Sequence, residues 1–213
     1  MDKQTDQINW EQYLIPGTEI LKNKFNIKNI DDLKEIENII TRKSIAKLYL
    51  NPVEGNFDLK HLKEIHKKIF KEIYPFAGEL RNCTLQKDSH VFCNPENIEL
   101  IVNKTLEDMN KEFEQDISSI PEFAYKLAKY YYNLIYAHPF REGNGRSIRV
   151  FIRDFVCEKS KNKSCGPLDL DYTKIDKENL LLGSAERYIY PSFIEMEFMK
   201  GLVKIEDNKN KRI

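Results

Sequence analysis

The run IPEFAYKLAKYYYNLIYA, residues 120 to 137, has the pattern of an apolar helix, and it meets a proline at position 139. Proline has no amide to donate and its ring crowds the preceding turn, so the helix ends by His138. Two glycines flanking Asn144 then permit positive φ, and a second helical pattern, RSIRVFIRDFVCEKS, starts near Arg146. Two helices joined by a tight polar loop over 138–145 are therefore dictated locally, and the loop ends at a helix N-terminus.

The other segments point the same way. In NFDLKHLKEIHKKIFKEIY, Asp58 caps a helix whose Leu59, Leu62, Ile65, Ile69 and Ile73 recur at helical spacing. Asn94-Pro95-Glu96 repeats the start signal, with proline at the first helical position ahead of IELIVNKTLEDMNKEF. KIDKENLLLGSAERYI and YPSFIEMEFMKGLVKI complete an all-α reading. One stretch departs from it: ELRNCTLQKDSHVF, within residues 79–93, alternates like a strand and is broken by Lys87-Asp88-Ser89, a hairpin signal. With 213 residues, 41% of them hydrophobic, we expect one domain over 1–205 and a charged tail, EDNKNKRI, at 206–213.

Lysine plus arginine (34) balance aspartate plus glutamate (34), so no global field marks a binder of nucleic acid or of anionic membrane. No stretch approaches the roughly 18 apolar residues of a membrane span, and MDKQTDQINWEQ has no apolar leader core. A cytoplasmic protein is expected, export into another cell being left open. Cys83, Cys93, Cys157 and Cys165 lack metal-site spacing and are read as reduced thiols, although Cys83 and Cys93 could face each other across the hairpin.

The loop HPFREGNGR, 138 to 146, concentrates chemistry. Gly143 and Gly145 remove Cβ atoms that would keep a phosphate away from the first amides of the following helix. The chain has only eight arginines, yet Arg141, Arg146, Arg149 and Arg153 fall within thirteen residues. Arg146, Arg149 and Arg153 share a helical face, and planar guanidinium forks suit phosphate oxygens. Glu142 is either an ion-pair partner or a holder of Mg²⁺, which takes one or two carboxylates plus phosphate oxygens. His138 is either a core histidine or, beside a phosphate cradle, a general base. No GxxxxGK[ST] occurs, so the loop is not a P-loop.

His138-Pro139-Phe140-Arg141-Glu142-Gly143-Asn144-Gly145-Arg146-Ser147-Ile148-Arg149 matches in full the signature His-x-Phe-x-(Asp/Glu)-Gly-Asn-Gly-Arg-x-x-Arg, and the chain resembles the Fic family. YLIPGTEILKNKF (13–25) and FDLKHLKEIHKKIFKEIYPFAGELR (57–81) extend the resemblance. It implies a Fic-fold helical bundle with a small β-hairpin flap, and transfer of AMP from ATP to a hydroxyl side chain (Ser, Thr or Tyr) of a target protein. His138 would be the base. Glu142 would position Mg²⁺. Gly143, Asn144, Gly145 and Arg146 would hold the phosphates, Arg149 would pair with the γ-phosphate, and Phe140 would anchor the loop. The hairpin would be the flap, docking an extended target segment along Arg81, Asn82, Cys83, Thr84, Leu85 and Gln86, with Lys87, Asp88, Ser89 and His90 closing over the nucleotide. Doc-type relatives, which phosphorylate, replace the Gly-Asn-Gly-Arg ending, and this chain retains it. A phosphate-recognition module without catalysis is the alternative of a different class, and removal of AMP uses the same loop.

Members of the family are commonly silenced by a helix bearing (Ser/Thr)-x-x-x-Glu-(Gly/Asn), whose glutamate would pair with Arg149. Ser118 alone is followed at that spacing by a glutamate, Glu122, and Ser118-Ser119-Ile120-Pro121-Glu122-Phe123 reads as a helix start. We therefore expect inhibition in trans by a small antitoxin-like partner, the toxin type, against a degenerate inhibitory helix in the C-terminal segment.

Overall fold

A computed structural model of the chain describes residues 3–87, 90–180 and 191–205. Its helices are α1 (Lys3–Glu11), α2 (Ile30–Leu50), α3 (Leu59–Phe70), α4 (Ile98–Glu112), α5 (Ile120–Ala137), α6 (Asn144–Lys159) and α7 (Pro191–Gly201), with a further helical stretch at 177–180. Strands β1 (Gln86–Lys87) and β2 (His90–Val91) form the expected hairpin, with Gln86 opposite Val91 and Lys87 opposite His90.

The starts follow the capping residues. The Asn29 side chain accepts from the amides of Asp31 and Asp32, and that of Asp58 accepts from His61 N–H. Asn94 caps a 3₁₀ turn, Pro95–Asn97, that runs into α4. Before α5, Ser119 Oγ accepts from Glu122 N–H and caps the helix, while Glu122 Oε2 reaches back to accept from Ser118 N–H and Oγ–H, so Glu122 is spent on the helix start.

Two expectations need correction. The last helical pattern stops at Gly201, and Leu202–Lys204 forms a strand, β4, antiparallel to β3 (Leu168–Leu170). Leu168, Leu170 and Leu202 are all buried, so a short period-2 pattern overrides helical propensity where it closes the core. Helix α6 begins at Asn144, two residues earlier than read. Of KIDKENLLLGSAERYI, residues 181–190 lie outside the described residues, as does the tail 206–213.

The chain divides into two compact units, Met1–Leu106 with Leu134–Phe151, and Glu107–Asn133 with Ile152–Ile213. In the first, Leu62, Ile65, Ile69 and Phe70 of α3 are fully buried with Phe140 and Phe151. In the second, Phe113 meets Phe123 and Phe155 edge-on at 4.9 and 5.1 Å, and Tyr131 meets Phe198 at 5.2 Å. The loop after α5 lies entirely within the first unit.

Candidate active site

Three side chains from outside the loop fix its backbone, and none was singled out by sequence for that task. The first is Arg81, 2% exposed. Its Nε donates to the His138 carbonyl at 2.7 Å, and its Nη atoms donate to the carbonyls of Cys83, Cys93 and Ala137. One guanidinium thus ties both limbs of the hairpin's base to the start of the loop, where His138 sits at φ 44°. Desolvation lowers its pKa, and the carbonyl dipoles compensate the buried charge.

The second is His66 on α3, stacked on Phe140 with centroids 3.8 Å apart. Its Nδ1 accepts from Gly78 N–H at 2.8 Å, so the proton sits on Nε2, which donates to the Glu142 carbonyl at 2.9 Å. Burial pulls its pKa down to about 4, so the imidazole is neutral and its tautomer fixed.

The third is Phe70, whose ring packs against the loop. A Cβ on Gly143 would fall 2.1 Å from Phe70 Cζ, and Gly143 has φ +80°, so only glycine fits there. Asn144, 3% exposed, closes the loop from within: Oδ1 accepts from Phe140 N–H at 2.8 Å and Nδ2 donates to the Phe140 carbonyl at 2.7 Å. Its side chain is therefore spent on the loop, and what it can offer an anion is its amide at the start of α6. Phe140 is fully buried, the anchor expected of it.

Around this frame stand the charged groups. Arg146 Nη1 pairs with Glu37 Oε1 of α2 at 2.6 Å and donates to Thr41 Oγ1 at 3.4 Å. Arg146 Nη2 pairs with Glu142 Oε1 at 3.3 Å, and the same carboxylate oxygen accepts from Gly143 N–H. Arg149 reaches back over the loop: a Cβ on Gly145 would lie 3.1 Å from its Nη1. His138 stacks on Phe92 at 3.8 Å, and its Nδ1 lies 3.2 Å from the Ile135 carbonyl. A carbonyl only accepts, so Nδ1 carries the proton and Nε2 the lone pair.

The arginine cluster does not act as one. Arg153 makes a two-point ion pair with Asp169 in the second unit, and Arg141 lies over the ring of Trp10 at 4.1 Å. Neither belongs with Arg146 and Arg149.

Along the extended stretch 81–86, Arg81, Cys83 and Leu85 point inward and are buried, whereas Asn82 and Gln86 are exposed and Thr84 is half-buried. The tip residues Asp88 and Ser89, and the side chains of Lys87 and His90, lie outside the described residues. Cys83, Cys93, Cys157 and Cys165 are free thiols.

Comparison with known proteins adds the identity. The model of the Fic/DOC family matches residues 56–156. The probable protein adenylyltransferase Fic of Escherichia coli strain K12 is 30% identical over 146 residues, which cover 68% of this chain and 72% of that protein. The chain belongs to the Fic/DOC family. The protein adenylyltransferase VbhT of Bartonella schoenbuchensis is 29% identical over 84% of this chain, which spans 36% of that relative's length. Among solved structures, the N-terminal Fic domain of a VirB-translocated Bep effector protein of Bartonella quintana, with bound ADP, superposes with a TM-score of 0.79 at 25% identity, covering 91% of this chain and 95% of that one. The all-helical Fic fold with its hairpin is thereby established.

Proposed function

We propose that the protein is a protein adenylyltransferase that transfers AMP from ATP to a hydroxyl side chain (Ser, Thr or Tyr) of a target protein. The observation that carries the reading is the His138 tautomer: with Nδ1 turned to the Ile135 carbonyl, Nε2 is the basic nitrogen of the residue that opens the glycine-bearing loop into α6. His138 Nε2 takes the proton of the target hydroxyl, whose oxygen bonds to the α-phosphorus as the bond to the pyrophosphate breaks. The first-turn amides of α6, from Asn144, and the guanidinium of Arg146 hold the phosphates, and Arg149 pairs with the γ-phosphate. The names of the relatives and the ADP in the Bartonella quintana structure support this.

The donor set fits Mg²⁺ brought in with the nucleotide. The Glu142 side chain is 40% exposed, and one such carboxylate beside phosphate oxygens matches the ion's habit. Among the described residues no group of three or more His, Cys, Asp or Glu forms a metal site. The bound ion would neutralise charge on the departing pyrophosphate.

The hairpin is proposed as the flap, its outward backbone pairing with an extended target segment and its tip, Lys87 to His90, covering the nucleotide. Regulation is proposed to be in trans by a small antitoxin-like protein, in a cytoplasmic toxin pair. Glu197 of α7 supports this: it accepts from Asp176 N–H, Asn179 Nδ2 and Lys200 Nζ within its own unit, so this C-terminal carboxylate already has partners. Incubating the protein with α-labelled ATP and a lysate tests the reading. Label in a protein band, absent for His138→Ala, is expected. No labelled band from an enzyme that binds ATP would refute transfer to proteins.

A further inference from the structure

Glu37 lies on α2, outside the stretch matched by the family model, and no step described so far uses it. Its side chain is 13% exposed and both carboxylate oxygens are engaged: Oε1 with Arg146 Nη1 at 2.6 Å, and Oε2 with the hydroxyl of Tyr74, which donates. Burial first, and then the neighbouring Glu37 carboxylate, push the Tyr74 phenol well above its usual value, so it stays a donor. Tyr74 is itself held by stacking on Phe76 at 5.0 Å.

The guanidinium of Arg146 is thus gripped asymmetrically. Nη1 is held from α2 by Glu37 and Thr41, the ring of Phe70 lies 4.8 Å from its centre, and Nη2 turns to the loop, where Glu142 meets it at a looser 3.3 Å. The tight contact is to a residue of α2 whose other carboxylate oxygen is taken by Tyr74, and the loose one is to the loop carboxylate that a nucleotide-borne cation would recruit. A long, rotamer-rich side chain fixed on one prong presents the other with little further loss of entropy on binding.

We infer that Glu37, backed by Tyr74, is the positioning residue that holds Arg146 with Nη2 directed at the phosphates of the nucleotide. The inference rests on the nucleotide-binding reading above. It concerns the phosphate chain beyond the first phosphate, so it separates nucleotides by phosphate number.

The test is calorimetric binding of ATP, ADP and AMP, each with Mg²⁺, to the wild type, Arg146→Ala, Glu37→Gln and Tyr74→Phe, with thermal melting of each. Glu37→Gln retains shape and one acceptor, and is expected to weaken ATP and ADP about tenfold while AMP changes less than twofold. Tyr74→Phe should move the same way by a smaller factor. In transfer assays both variants should raise KM for ATP more than they lower kcat. A Glu37→Gln protein that binds ATP as well as or better than the wild type, while Arg146→Ala binds it poorly, overturns the inference and leaves the function standing. Equal weakening of AMP and ATP also overturns it, since that is loss of structure. Indifference of ATP binding to Arg146→Ala overturns the inference alone, whereas a wild type that binds no ATP overturns both readings.

Discussion

At the scale of single residues, the site depends on groups that have one workable conformation. Gly143→Ala would force a Cβ onto Phe70 and into positive φ, so we predict a loss of about 2 to 5 kcal/mol, measured by denaturant unfolding; a change under 0.5 kcal/mol would mean the loop yields freely. His66 gives a pH dependence. Its folded pKa of about 4 lies below the ordinary 6.5, so between those values the unfolded chain takes up a proton that the folded chain refuses. Stability therefore falls as pH drops from 6.5 to 4, by on the order of 3 kcal/mol, and this contribution levels off below. In His66→Gln the fall should be smaller by that amount, whereas an identical fall would assign it elsewhere. Arg149→Ala should weaken ATP binding far more than ADP binding, since the proposed charge-assisted contact is to the γ-phosphate. Equal losses would remove Arg149 from that role.

At the scale of elements, the helices were legible because each carries its own punctuation: Asn94-Pro95 before α4, Ser119 and Glu122 before α5, Pro139 after it. Strands β3 and β4 were not, because three residues each give too short a period to stand out and their stability comes from pairing distant parts of the chain, Leu168 with Lys204 and Leu170 with Leu202. The hairpin was visible as alternation, but the role of its first residue was not. The family resemblance puts Arg81 in the target-docking stretch, whereas its side chain is a buried staple between the hairpin base and the loop. Lysine, a point donor, cannot reproduce that fork. Arg81→Lys is predicted to lower stability by about 2 to 4 kcal/mol and to abolish transfer, both measurable on the purified protein. Full activity at wild-type stability would contradict the staple.

In the molecule as a whole, the candidate site was legible because the loop is contiguous: His138, Glu142, Gly143, Asn144, Gly145, Arg146 and Arg149 span twelve positions. What shapes it was not, because His66, Arg81 and Glu37 come from elements 57 to 109 residues away and look, in sequence, like any residue of an amphipathic helix or strand. The division of labour is physical. Reacting groups sit where they touch substrate, and the groups that fix them sit wherever the fold returns to the loop. AMP transfer stands or falls on which label moves when the protein is given ATP labelled either at the α- or at the γ-phosphate, with a lysate, alongside His138→Ala. Only the α-label is expected to enter a protein, and His138→Ala is expected to lower this by about a hundredfold or more while ATP still binds. Transfer of the γ-label, or α-label transfer undiminished in His138→Ala, would contradict it.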